Sequence, residues 1–266
     1  MRRHTGGVGR TRILGMPLLR GLAVIGVVFA AVLAASIAWA MTVQPVIVDL
    51  TASGRGSSSV ITVENTFVNP LPVELRVEDL AWEEGGVKGT GADTGDLLVF
   101  PPQTLIQPGQ TQSFRVQYVG DPDLTRSKHY YVTVAQLPVQ LPEGQSAIQI
   151  LYNFQVLVSV APVGVRPDLS VVGAEVVNEG GKALAAVTFR NASLAHGYVS
   201  RGRLRLVARD ASGREVWRRT VPGPELQQTI GFGLIGAEQT RRIVMPFELP
   251  EGGVRVEAQF TAESQR

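Results

Sequence analysis

Residues 147–162 have the sequence AIQILYNFQVLVSVAP and are called the ribbon below. The ribbon contains no charged side chain, yet its glutamine, asparagine and serine residues make it too polar for a membrane span. Successive side chains of a β-strand point to opposite sides, so the alternation in the ribbon defines two faces. One face carries only large apolar residues, namely Ile148, Ile150, Tyr152, Phe154, Val156, Val158 and Val160. The pattern predicts one β-strand over residues 147–160.

This predicted strand is longer than a small sandwich can cover. At about 3.3 Å per residue it would extend roughly 45 Å, whereas a typical strand of five or six residues spans about 20 Å. Part of its apolar face must therefore project beyond its own core. Its edge carries no lysine, proline or other protective feature before Pro162. Either neighbouring strands of the same chain cover this edge, or a partner does.

The chain after Ala40 shows short alternating runs bounded by glycine, proline, aspartate and asparagine, and no sustained helical period. Further strands are predicted at residues 44–50, 58–65, 73–82, 96–100, 112–118, 129–137, 169–178, 182–191, 203–209, 215–221, 241–248 and 254–261. The stiff connector APVGVRPDLS separates the two sets. The predicted fold class is all-β, with two immunoglobulin-like β-sandwich domains, residues 41–162 and 163–266, joined by a short Pro-containing linker.

Residues 1–40 have the features of a secretory signal peptide. Five arginines and no acidic residue accompany an uncharged run over residues 21–37, and Ala38-Trp39-Ala40 ends it with small residues at the outer positions. Cleavage after Ala40 is expected, and a retained single-span anchor is the alternative. The remaining 20 basic residues face 23 acidic ones, so the mature chain has a net charge of −3 and no composition that calls for nucleic acid.

The residue types argue against an enzyme, and we expect no cofactor, metal site or small-molecule substrate. Beyond residue 40 the chain has no cysteine and only two histidines, His129 and His196, whereas zinc sites use three or four ligands. The two histidines fall in different predicted domains, so they can meet only across the cleft between them. The acidic residues of the glycine-rich loop at 83–96 fit a solvated loop better than a calcium site.

Several stretches, in this order along the chain, resemble the PapD-like periplasmic chaperones of the chaperone–usher pilus pathway. DLLVFPPQTLIQPGQTQSFRVQYVG (96–120) resembles that family's pattern of a strand, Pro-Pro, Pro-Gly and a second strand. LTRSKHYYVTVAQLPVQ (124–140) resembles the next strand, and the ribbon with its Ala-Pro ending resembles the strand that the family calls G1. FRNASLAHGYVSRGRLRL (189–206) and FGLIGAEQTRRIVMPF (232–247) resemble segments of the second domain.

The resemblance implies a periplasmic chaperone that stabilises incomplete pilus or fimbrial subunits by donor-strand complementation and delivers them to an outer-membrane usher. It places Ile148, Ile150 and Tyr152 at the inserting positions of the donor strand. The expected partners are therefore pilus or fimbrial subunits and the usher, with membrane contact only through the signal segment. The alternative is an exported immunoglobulin-like binding or structural module without chaperone activity, because a fold alone does not fix function.

The chain departs from the family at the cleft between the domains. The resemblance implies two basic anchors for the C-terminal carboxylate of the subunit, and these positions are Ile47 and Leu157 here. The resemblance implies an arginine immediately before the closing proline, and this position is Ala161 here. It also implies an acidic residue that fixes the two domains together, at about the position of Ser127. Either the chaperone captures its subunit without a carboxylate clamp, or the scaffold serves another purpose. The candidate replacement cations are Arg115, Lys128, Arg166 and Arg201.

Overall fold

The computed structural model describes residues 41–83, 86–138 and 150–263. The predicted signal peptide and Ile148 lie outside the described residues. From Met41 onward the described residues belong to one compact unit, and within it two separate hydrophobic cores are present. The structure is mostly β, with several sheets as expected for two immunoglobulin-like sandwiches, so the predicted fold class is confirmed. The predicted domain boundaries stay a prediction.

Ten strands of the described residues form the first sandwich. They are β1 (Thr42–Gln44), β2 (Ile47–Thr51), β3 (Ser58–Glu64), β4 (Leu71–Glu83), β5 (Gly86–Gly89), β6 (Leu97–Phe100), β7 (Gln103–Ile106), β8 (Thr111–Tyr118), β9 (Lys128–Gln136) and β10 (Asn153–Ala161). One sheet has the order β1-β3-β8-β6, and the other has the order β2-β10-β9-β4-β5, with β7 paired to β4. The strand β10 therefore lies between β9 and the short strand β2.

The first core forms because alternate residues of both sheets are apolar and point between them. Phe114 and Val116 of β8 share one buried cluster with Val132 and Val134 of β9, and all four are 0% exposed. Burying a side chain of this kind contributes about 1.5–3 kcal/mol each. The cluster is continuous with the inward face of β10, which places the ribbon on a well-packed scaffold.

The strand predicted at residues 44–50 is two strands in the structure. The first, β1, pairs with β3 in one sheet, and the second, β2, pairs in parallel with β10 in the other sheet. Pro45 lies between them and cannot donate a ladder hydrogen bond, which favours a break at this point. Because the chain changes sheets there, only Ile47–Thr51 lines the edge of β10.

The second sandwich contains eight strands and one α-helix among the described residues. They are β11 (Leu169–Glu179), β12 (Lys182–Asn191), β13 (Gly197–Tyr198), β14 (Gly202–Arg209), β15 (Glu215–Val221), α1 (Gly223–Ile230), β16 (Leu234–Ile235), β17 (Thr240–Glu248) and β18 (Arg255–Ala262). The sheets have the orders β11-β12-β17, β15-β14-β18 and β13-β16. Phe189, Leu206 and Met245, each 0% exposed, mark the second core.

Outside the ribbon and the divided first strand, the predicted strands occur within about two residues of their predicted bounds. The elements that sequence periodicity missed are the short ones, β5, β7, β13, β16 and the eight-residue helix α1. Two to four residues are too few to display a period of two, and α1 buries only Gly223 and Leu226. None of the helices in the described part of the chain has the length and apolar character needed to cross a bilayer.

Candidate functional site

Among the described residues of the ribbon, which begin at Ile150, the strand starts at Asn153, whereas the pattern predicted a strand from residue 147. The reason is its neighbour, because β9 ends at Gln136 and the last register pair is Asn153 with Ala135. One further backbone bond remains, from the N–H of Gln136 to the carbonyl oxygen of Tyr152 at 2.9 Å. Tyr152 therefore lies opposite the last residue of β9, and residues 150–151 precede the end of the neighbouring strand.

Burial along the apolar face of the ribbon falls steadily toward its beginning. Val158 and Val156 are 0% exposed, and Phe154 is partly buried against the first core. Tyr152 is 37% exposed and Ile150 is 69% exposed. For the described residues, the apolar face of the ribbon thus extends past its own core. The assignment of Ile150 and Tyr152 to insertion into a partner stays a prediction, as does that of Ile148, which the structure does not describe.

The same stretch has an open backbone edge. Tyr152 directs its carbonyl toward β9, whereas the N–H of Leu157 donates to the carbonyl of Val46 on the opposite side, at 3.1 Å. Because these directions alternate along a strand, the backbone groups of Leu151, Asn153 and Gln155 point away from β9. The strand β2 covers that side only from Leu157 onward. Within the described part of the chain, no strand pairs with the edge from Leu151 to Gln155.

The two positions that match the family's basic anchors lie together where the open edge ends. Ile47 and Leu157 are register partners in the parallel pair of β2 and β10, and Tyr131 of β9 is the next register partner of Leu157. All three residues are half-buried. The three side chains form a largely apolar row across the sheet. The structure thus brings the two predicted anchor positions together, but neither position carries a cation.

The four candidate replacement cations have different surroundings. Arg115 lies on β8, in the other sheet of the first sandwich, and Lys128 is bound to Asp96 at 2.8 Å. Arg166 is exposed in the connector between the two sandwiches. Of the four, Arg201 is the one that joins a polar cluster between the sandwiches, where it pairs with Asp49.

This polar cluster connects the two sandwiches and is called the joint below. It contains Asp49, Ser127, His129 and Ser159 from the first sandwich and His196, Tyr198 and Arg201 from the second. The resemblance placed the family's domain-fixing acid at about Ser127, and this assignment stays a prediction. The Ser127 hydroxyl lies 2.9 Å from Nδ1 of His196 and accepts a bond from the backbone N–H of His196 at 2.9 Å. Ser127 therefore connects the two sandwiches through its hydroxyl group.

Asp49 is the centre of the joint. Its Oδ1 atom lies 2.9 Å from Nε2 of His196 and 3.0 Å from the hydroxyl of Tyr198, while Oδ2 accepts a bond from Arg201. The guanidinium of Arg201 also lies 4.5 Å above the Tyr198 ring. Burial by itself would raise the pKa of Asp49, but the hydrogen bonds and charges of His196 and Arg201 outweigh burial and lower the pKa to about 2. Asp49 is therefore ionised at neutral pH.

The donors and acceptors between Asp49 and His129 determine which atoms carry the protons in this series of hydrogen bonds. The Tyr198 hydroxyl lies 3.0 Å from both Asp49 and the hydroxyl of Ser159, and an ionised carboxylate only accepts. Tyr198 therefore donates to Asp49, and Ser159 donates to Tyr198. Nδ1 of His129, 2.9 Å from Ser159, must then carry the proton of that bond. The other nitrogen of His129, Nε2, is buried and has no hydrogen-bond partner among the described residues.

His129 is enclosed by aromatic rings. The ring of Trp82 lies 5.4 Å from it and the ring of His196 lies 5.3 Å from it, both edge-on. Gly236 of the second sandwich allows Trp82 to approach closely, since a methyl group at Gly236 would lie 2.2 Å from the indole ring. Burial and the neighbouring His196 lower the pKa of His129 to about 3, with a smaller opposing effect of Asp49. His129 is therefore a neutral, buried histidine.

Sequence reasoning found part of the joint. The inference that His129 and His196 meet only across the cleft agrees with their ring contact. Asp49 was missed, although its position as the one acid in the alternating run VIVDL was a usable signal, because a charge inside an apolar strand needs a partner. Nothing local marks Tyr198 or Ser159. Among the described residues, no group of three or more histidine, aspartate or glutamate side chains is arranged to hold a metal ion.

The joint predicts a specific loss of stability in acid. Between pH 6.5 and pH 3 the unfolded chain binds a proton at His129 that the folded chain excludes, so His129 destabilises the fold as the pH falls through this window. The expected decrease in the free energy of unfolding from this effect approaches about 1.4 kcal/mol for each pH unit of acidification. His129→Asn keeps a nitrogen donor toward Ser159 but does not titrate. Chemical unfolding between pH 6 and pH 4 should therefore show a flatter dependence on pH for this variant than for the parent.

Measurement between pH 6 and pH 4 separates the effect of His129 on stability from the effect of Asp49. The lowered pKa of Asp49 contributes stability that is present above its ordinary value of 3.8 and is lost only as the pH falls toward 2. The comparison uses slopes, so a constant stability offset of the variant does not affect it. His129→Gln serves as a second neutral substitution. Equal slopes for the parent and both variants would contradict the assignment of a buried neutral His129.

Comparison with known proteins gives a family for the first sandwich. Residues 40–166 match the family described as pili and flagellar-assembly chaperone, PapD N-terminal domain. No match was found among curated proteins.

Three solved structures illustrate the similarity. A chain of the CsuC–CsuE chaperone–tip adhesion subunit pre-assembly complex of Acinetobacter baumannii is 13% identical, with 83% of this chain and 97% of that chain covered and a TM-score of 0.48. A chain of the Salmonella enterica complex of SafA pilin with the SafB chaperone is 14% identical, with 86% and 99% covered and a TM-score of 0.48. The E. coli chaperone DraB is 15% identical, with 84% and 91% covered and a TM-score of 0.46.

The family match extends from the start of the first sandwich to the connector and includes the ribbon, β2 and the strands that carry half of the joint. The first sandwich of this chain therefore belongs to the PapD-like family of pilus-assembly chaperones, as its N-terminal domain.

Proposed function

We propose that this protein is a periplasmic chaperone that binds incomplete pilus or fimbrial subunits by donor-strand complementation and delivers them to an outer-membrane usher. The observation that carries the proposal is the open edge of the ribbon. From Gln155 back to Leu151, the side of the backbone that faces away from β9 has no strand partner among the described residues, and in the same stretch the apolar side chains emerge from the core into solvent. The family of the first sandwich supports the same function.

The open edge is suited to an added strand. Leu151, Asn153 and Gln155 each offer one N–H and one C=O group, and each hydrogen bond made there would contribute about 1 kcal/mol. Ile150, which is 69% exposed, would gain most of the roughly 1.5–3 kcal/mol available from burial of such a side chain. The alternation fixes the register, because a shift of one residue would turn the apolar face away from the partner. Edge pairing of this kind is β-augmentation, and the resemblance extends it to Ile148.

The end of the edge favours capture without a carboxylate clamp. A strand added along Leu151 to Gln155 stops where β2 begins, at Val46 and Ile47, next to the apolar side chain of Leu157. The nearby positive charge of Arg201 is already paired with the ionised Asp49. The joint therefore offers an arriving carboxylate little net attraction.

Substitution of Ile150→Asp tests the donor-strand assignment. The aspartate would remove the apolar contact and bring an unpaired carboxylate into the subunit's groove, so the affinity for a co-expressed fimbrial subunit should fall by about a hundredfold or more. Co-purification and titration calorimetry with the recovered subunit measure the effect. The folded protein should keep its stability, because Ile150 lies outside the core.

Val172→Asp is the matched control, because Val172 is a comparably exposed valine, 55% exposed, on β11 of the second sandwich. It should leave subunit binding unchanged. Equal recovery of an authentic subunit by the parent and by Ile150→Asp would disprove donor-strand capture through this edge. Recovery of other exported proteins, and of no pilus subunit, would instead support the alternative of a non-chaperone binding module.

Amidation of the subunit's C-terminus tests the absence of a carboxylate clamp. Hydrogen bonds to a charged group contribute about 1.5–3 kcal/mol, or roughly 10- to 150-fold in affinity. Since Ile47 and Leu157 form no such bonds, a carboxamide peptide with the subunit's last strand should compete as well as the free acid, within about threefold. Fluorescence competition with the two peptides measures this ratio. A loss of more than about tenfold on amidation would show that another cation holds the terminus.

A further inference from the structure

Phe67, in the turn between β3 and β4, contacts the ribbon immediately before the ribbon becomes a strand. The ring centroids of Phe67 and Tyr152 lie 5.9 Å apart with the planes tilted by 40°. Phe67 is half-buried and, like Phe154, packs against the first core. The ring of Phe67 therefore connects the core with the residue of the ribbon that lies opposite the last residue of β9, Gln136.

The turn that carries Phe67 is fixed by a buried side chain. Asn65 is 0% exposed, and its amide nitrogen donates to the carbonyls of Asn69 and Ile106, both at 2.9 Å. Its amide oxygen accepts a bond from the backbone N–H of Phe67 at 2.9 Å. These bonds satisfy a buried amide and determine where the ring of Phe67 lies.

Tyr152 is held from a second side by Gln136, the last residue of β9. The backbone N–H of Gln136 donates to the carbonyl of Tyr152 at 2.9 Å, and the side-chain oxygen of Gln136 accepts from the N–H of Tyr152 at 3.3 Å. Tyr152 thus has a ring contact with Phe67, and both its backbone N–H and its C=O group are bonded to Gln136, although Tyr152 lies outside the strand β10. Ile150, two residues earlier, is 69% exposed.

We infer that Phe67 and Gln136 hold Tyr152 in its extended conformation before a subunit arrives, so that Phe67 is a positioning residue of the donor strand. A segment that is already extended loses less conformational freedom on binding, and a binding-competent state that is more populated raises the apparent affinity. The consequence for capture rests on the proposed function. The holding of Tyr152, in contrast, is a property of the free protein and can be measured without any partner.

Hydrogen exchange of the free, full-length protein tests the holding directly. An aromatic pair of ordinary strength corresponds to about a two- to tenfold change in an equilibrium constant. Phe67→Ala should therefore accelerate exchange of the backbone amides of Tyr152 and Gln136 by about that factor relative to Val132, which is 0% exposed at the centre of β9. Phe67→Tyr should restore the parent rates. Equal acceleration at all three amides, or no change at Tyr152, would overturn the inference.

Val68→Ala is the matched control, since Val68 is the next residue of the same turn and is 67% exposed. It should leave exchange at Tyr152 unchanged. With the fimbrial subunit recovered by the parent, Phe67→Ala should bind with an association rate reduced by about two- to tenfold, and Phe67→Tyr and Val68→Ala should bind at the parent rate. An unchanged association rate despite faster exchange would refute a role in capture. If Ile150→Asp had no effect on binding, the proposed function would fail while the exchange result would stand.

Discussion

A β-strand makes ladder hydrogen bonds only as far as its neighbouring strands extend, and this limit determines the geometry of the ribbon. The strand β10 lies between β9 and β2, but β9 ends at Gln136 and β2 begins at Ile47. The two ends are offset, so one side of the ribbon loses its partner before the other side does. The apolar side chains continue through this offset without a change in pattern. The result is a strand edge whose backbone groups on one side are open to pairing, and no strand of the described chain pairs with them.

The joint is built on the same three strands. Asp49, Ser159 and His129 form one register row across β2, β10 and β9. The second sandwich is therefore fastened to the strands that present the ribbon. The Asp49 carboxylate, which is partly exposed, is bound on both oxygens by residues of the second sandwich, namely Arg201, His196 and Tyr198. This polar contact and the exposed ion pair of Arg126 with Glu238 at 2.6 Å are non-covalent contacts between the two sandwiches.

The ends of the ribbon illustrate how far sequence reasoning extends. The alternation correctly identified the inward face, since Val156, Val158 and Val160 are all 0% exposed. The start of the strand at Asn153 was not predictable, because the length of β9, and not the ribbon's own residues, sets it. The break at Pro45 was readable in principle, but the change of sheet that accompanies it depends on which strands lie on either side. Phe67 gave no signal at all, because its partner Tyr152 is distant in sequence.

The amino-acid sequence was sufficient to predict the all-β class, most strand positions, the apolar face of the ribbon and the family resemblance, because these properties repeat over many residues or follow from residue type. The substitution of Ile47 and Leu157 for basic residues was likewise visible without a structure. The three-dimensional structure was needed to show that the ribbon's edge is open from Leu151 to Gln155 and that Asp49 bonds to three residues of the second sandwich. Those features arise where separate segments of the chain end or meet, and the residues within one segment do not specify where another segment stops.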